Sequence, residues 1–157
     1  MIRGSGDQAA SGPRTGSQPR DQQRARLYDA EEGVDAGRVF VSLDDTQAFV
    51  DSITTSAFWE RIPNAPRVIR VRDGRGRRHA CAADAWFGAE LRLPRWSRNQ
   101  LIVLHELAHT ITPSHCASHG PEFAGAYLHL VRRFLSEEHY DALHESFRRA
   151  DVQVSPQ

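Results

Sequence analysis

Apolar positions along the chain alternate between helical and period-two spacing, and the changes of period outline its elements. From Asp21 to Val34, Leu27, Ala30 and Val34 fall on one side of a helix and charge on the rest. Arg38 to Leu43 (RVFVSL) predicts a short strand. Asp44 or Asp45 is placed to cap a second helix running to about Arg61, with Phe49, Ile53 and Ala57 four apart. Pro63 and Pro66 bracket a turn. Val68, Ile69 and Val71 then lead into Asp73-Gly74-Arg75-Gly76, a turn signal after which Arg77 to Ala83 is expected to pair back as a hairpin. Ala89 to Leu93 alternates again and stops at Pro94.

The second half reads as helical. Ser97 and Gln100 have the spacing of a capping box, and Trp96 and Leu101 that of a hydrophobic staple, which predicts a helix starting at Ser97. It should stop near Ile111 or Thr112, because the residue before Pro113 disfavours helical geometry. Gly120-Pro121 opens the next helix, whose core stripe is Phe123, Tyr127, Leu130, Val131 and Phe134. Ser136 caps a last one carrying Tyr140, Leu143 and Phe147.

Composition trims the ends. Met1 to Arg24 is rich in Gly, Ser, Gln, Pro and Arg, with too few apolar residues to offset the entropy of ordering, and is expected to be a disordered arm. Val152 to Gln157 is expected to be flexible too, leaving residues 25–151 as one domain. The chain has 20 basic and 20 acidic residues, so no net field favours nucleic acid or an anionic membrane. Every basic residue is Arg, which excludes a catalytic lysine. Cys81 and Cys116 are no disulfide framework. No apolar stretch resembles a secretory signal or reaches the length of a membrane span, so a soluble cytoplasmic protein is expected.

The chemistry concentrates in His105-Glu106-Leu107-Ala108-His109. Residues four apart on a helix point the same way, so His105 and His109 can offer two imidazole nitrogens to one cation. Glu106 sits on the flank of that face, where it can reach a metal-bound water without ligating the metal. Metal-assisted hydrolysis needs this division: the cation acidifies the water and the carboxylate carries its proton. The expected cofactor is therefore Zn2+, and the expected substrate a peptide or other amide. A catalytic zinc takes three protein ligands. His119, at the end of the following loop, is the preferred third, because Gly120 allows close backbone approach. His115 stands next, at the metzincin spacing, although Thr112 replaces that pattern's glycine and Met1 is the only methionine. Glu137 is the last alternative.

HELAH followed by His119-Gly120-Pro121-Glu122-Phe123 resembles the SprT/Spartan-like zincin metalloproteases. The wider layout, with Asp21-x-Gln23-Arg24, Tyr28, Ala30-Glu31, LHELAH and HGPEF, is similar to an actinobacterial family of metallohydrolases. The resemblance implies His105, His109 and His119 as ligands and Glu106 as general base. It also implies an α+β, zincin-like fold: a small, mostly antiparallel sheet packed with the active-site helix and further C-terminal helices. No zinc ribbon or basic tail follows, which counts against a role in DNA–protein crosslink repair.

Smaller signals complete the expectations. Ala89 to Leu93 stands where zincins place the edge strand that pairs with substrate, so this strand and Trp86 are expected to line the cleft, with His115 a candidate substrate contact. Asp84 and Asp141 are candidates for orienting the ligand imidazoles. Arg70, Arg72, Arg75, Arg77 and Arg78 surround the expected hairpin tip and read as a solvated turn. Two other readings stay open. One is a non-catalytic zinc-stabilised binding module, its site closed by Cys116 or His115. The other is a nucleic-acid-associated protease using the arginines.

Overall fold

Polar caps set where most of the helices begin. The computed structural model describes residues 21–156, with six α-helices and a three-stranded mixed sheet, an α+β arrangement. The helices are α1 (Arg24–Glu32), α2 (Leu43–Thr54), α3 (Ala57–Glu60), α4 (Gln100–Ile111), α5 (Pro121–Phe134) and α6 (Glu137–Arg149), and the strands β1 (Ile69–Asp73), β2 (Cys81–Ala85) and β3 (Gly88–Leu93). Gly120-Pro121 starts α5 and the Ser136 side chain caps α6, as expected.

Other boundaries differ. Ser42, not Asp44 or Asp45, caps α2 by accepting the Asp45 N–H, and so ends the RVFVSL segment before it can become a strand. That segment makes only an isolated bridge, Val39 to Asn99, and buries Phe40 while Val39 and Val41 face solvent. The run expected to reach Arg61 breaks at Thr55, where Ser56 caps the separate α3. The helix that carries His105 and His109 starts later than Ser97: Asn99 caps α4 by accepting the Ile102 N–H at 2.9 Å. Ser97 instead donates to Pro94, and Gln100 spends its carbonyl on the Arg38 N–H, so no capping box forms.

The hairpin expected between Val68 and Ala83 is absent. The strand order is β1-β3-β2, with β3 parallel to β1 and antiparallel to β2. Burial decides this: β3 carries the apolar face Ala89, Leu91 and Leu93, and it takes the centre, while β2 exposes more of itself. The outer edge of β1 is closed by Gln47 of α2, whose amide donates to Ile69 O and accepts from Val71 N like another strand. β2 is the other edge, and it packs against α4.

Behind α4, Leu104 and Leu107 meet the stripe of Tyr127, Leu130 and Val131 on α5 and Leu143 and Phe147 on α6, all buried. The helix pair α4–α5 is therefore anchored from behind, leaving its other side for the histidines. The arm over residues 1–20 lies outside the described residues, but Asp21 to Arg24 belongs to the fold: Gln23 is buried and exchanges two hydrogen bonds with the main chain of Gln153. The same bonds join the segment from Val152, expected to be flexible, to the start of α1. Val152 is buried, and the Ser155 N–H donates to Pro121 O. Among the described residues no helix is long and apolar enough to cross a membrane.

Candidate metal centre

Three imidazoles converge where α1, α4 and the start of α5 meet. His105 and His109 project from one face of α4, as their spacing requires, and His119 arrives from the loop just before the Gly120 cap of α5. One ligand atom from each lies within 4.8 Å of the other two, close enough to hold a metal ion. Phe123, one turn into α5, lies under all three rings at centroid distances of 4.4–5.1 Å.

Each side of the cluster is braced by a carboxylate. Nδ1 of His105 is 3.1 Å from Glu31 of α1, and Nδ1 of His119 is 2.7 Å from Asp21. Both contacts leave Nε2 as the inward-facing nitrogen, the orientation that such carboxylates impose on ligand imidazoles. Nε2 of His109 lies 3.2 Å from Nε2 of His105. Nε2 of His119 is buried and has no hydrogen-bond partner among the described residues. Burial, together with the neighbouring imidazoles, pulls His109 down to about 2 and lowers His119, so both stay neutral with free lone pairs. Burial also opposes charge on His105, but the Glu31 carboxylate outweighs it and raises that pKa.

Glu106 lies beside this cluster with 4 % of its surface exposed. Burial lifts its carboxyl to about 7, against His105 and an N–H from Ala82 of β2 that favour its charged form. No family model, curated protein or solved structure matches the chain.

A cleft of 720 Å³ opens from His109, bounded by Ala82, Ala83 and Asp84 of β2 and by His115 and Cys116 of the α4–α5 loop. His115 is exposed and Cys116 half-buried, and both are outside the three-residue ligand group. Glu137 is remote in role: it pairs with Arg132 at the surface. The cleft-side strand is β2, not Ala89 to Leu93, because β3 has a neighbour on both edges. Trp86 sits in the β2–β3 turn, 94 % exposed and packed on Phe87, outside the cleft lining. Among the arginines around the expected tip, Arg72 pairs with Glu90 and Arg75 with Asp73.

Asp84 and Asp141 are exposed, and the bracing carboxylates are Asp21 and Glu31 instead. Tyr28 also belongs to the site, stacked on His105 and 5.2 Å from His119. One signal for them was available: Asp21, Arg24, Tyr28 and Glu31 are spaced three, four and three apart, which lines polar groups along one helical face.

Proposed function

We propose that this chain is a zinc-dependent metallopeptidase of the zincin type, with His105, His109 and His119 as ligands and Glu106 as general base. The observation that carries the reading is the buried Nε2 of His119, a lone pair without a partner that faces the two α4 imidazoles. An orphaned buried acceptor is costly unless something fills its role, and a cation does so. The 3.2 Å between the His105 and His109 nitrogens is near the edge of roughly 3.3 Å that metal–nitrogen bonds of 2.0–2.1 Å give in a tetrahedron. Three imidazoles suit zinc, and the resemblance of HELAH…HGPEF to SprT/Spartan-like zincins points to the same set.

Bound there, zinc would supply Lewis acidity, polarising a carbonyl and bringing a water's pKa to about 7. Glu106, beside the ligand histidines and itself not one of them, is placed to take that water's proton and hand it to the departing amine nitrogen. Asp21 and Glu31 hold the imidazoles in their ligating tautomers. The free edge of β2 offers main-chain groups to an extended peptide lying in the cleft.

The test is a metal and activity comparison on the full chain. Purified protein should carry about one zinc per chain, in keeping with a single three-ligand site. Glu106→Gln should keep the zinc while losing roughly 10²–10⁴ in turnover of an unfolded protein substrate. A chain that refuses zinc, or a fully active Glu106→Gln, rejects the proposal.

A further inference from the structure

A second cavity, of 640 Å³, is bordered by Tyr28 and Glu31, the two residues that stack on and brace His105, whereas the first is lined by His109 itself. Its size falls in the range of roughly 300–1,000 Å³ usual for ligand sites. Its walls include Val34, Ala36, Leu101, Ile102 and Trp96. The charged residues around it stay at the water: Arg24, Arg78, His79 and Glu32 are exposed, and Glu31 is already engaged with His105 and Tyr127.

Trp96 has no role in the fold that explains its place. It is 59 % exposed, makes no staple with α4, and is held out on the short turn Arg95–Ser97 against this hollow. A large aromatic in a concave wall offers an apolar face to a bound side chain, and Trp is enriched at recognition surfaces. The chain itself connects the two cavities. Arg78 and His79 line the second, Ala82 to Asp84 line the first, and the main chain of Ala82 faces Glu106. A peptide laid along β2 would therefore run past Glu106 with a hollow on either side.

We infer that the cavity beside Trp96 is a specificity subsite for a bulky apolar side chain of the substrate peptide. This rests on the peptidase reading above. Tyr28 lines this cavity and stacks on His105, and this adjacency to the candidate metal centre is what selects a substrate side chain as the occupant.

The test uses the zinc-loaded full chain carrying Glu106→Gln, titrated calorimetrically with peptides identical except for Phe, Leu, Ala or Asp at one position. Phe and Leu peptides should bind about tenfold more tightly than Ala, the scale of one buried aromatic contact. Adding Trp96→Ala should erase that difference, and because Trp96 is largely exposed the fold should survive, as an unchanged Tm would verify. Equal binding of all peptides, no binding at all, or a preference that persists in Trp96→Ala overturns the subsite. Cleavage by the wild-type chain is read separately. An intact binding preference without any cleavage rejects the peptidase reading alone, whereas cleavage without preference rejects only the subsite.

Discussion

The carboxylate of Glu31 on α1 lies 3.1 Å from Nδ1 of His105 on α4, across 74 residues of sequence. The same carboxylate accepts the hydroxyl of Tyr127 on α5, so one acidic side chain ties three helices to one imidazole. Its electrostatic duty is to keep the His105 proton on Nδ1 and leave Nε2 for a metal. Glu31→Gln should lower zinc affinity by roughly 10–100-fold, the usual cost of losing such a partner. Competition against a chromophoric chelator measures it, and an unchanged affinity would show that Glu31 serves packing alone.

Asp21 does the same for His119 from the first described residue of the chain. Its other oxygen is buried and has no partner among the described residues. Asp21→Ala should weaken zinc binding by about tenfold or more. It should also shrink the rise in Tm that zinc produces, since stabilisation by a ligand follows its affinity. Thermal scans with and without zinc give both readings, and an undiminished zinc-induced rise would contradict the assignment.

How much of this was legible in the chain depended on range. His105, Glu106 and His109 were legible because their relation is set inside one helix by its pitch. His119 was legible because Gly120-Pro121 marks a helix start and fixes how the preceding loop ends. Asp21 and Glu31 were not assigned roles, because a pairing across 98 or 74 residues is decided by how helices pack. The sheet failed for a related reason. Nearness in sequence favoured a β1–β2 hairpin, but the most apolar strand, β3, wins the central place once burial is counted. The start of α4 was misplaced because Ser97 and Asn99 both suit a cap and only tertiary contacts choose between them.

The β2–β3 turn has one position that tolerates no side chain. Gly88 has φ +142°, and a Cβ there would lie 2.2 Å from the carbonyl oxygen of Val68. Gly88→Ala should cost roughly 3 kcal/mol or more, combining backbone strain with a clash against main chain. Gly76, at φ +80° with nothing within 4 Å, is the control: Gly76→Ala should cost only about 1 kcal/mol. Urea unfolding of both variants separates the two terms, and similar losses would refute the steric account. Because Gly88 sets where β2 lies, its variant should also disturb the Ala82 N–H beside Glu106.

The buried Glu106 gives the metal-free protein a pH dependence with a definite sign. Burial raises its carboxyl from 4.5 to about 7, so the folded chain holds that proton more tightly than the unfolded one. Its contribution is fully present below pH 4.5 and is lost as the pH rises through about 7. Over that window wild type should lose about 3 kcal/mol relative to Glu106→Gln, which has no proton to release at this position. His109 and His119 titrate in both proteins and drop out of the difference, while His105, which is coupled to Glu106, contributes to it as part of the pair. Urea denaturation of the two zinc-free chains from pH 4.5 to 8 measures it directly. Parallel stability profiles would mean that Glu106 reaches solvent in the metal-free fold and is not held in the low-dielectric position that tunes it as a base.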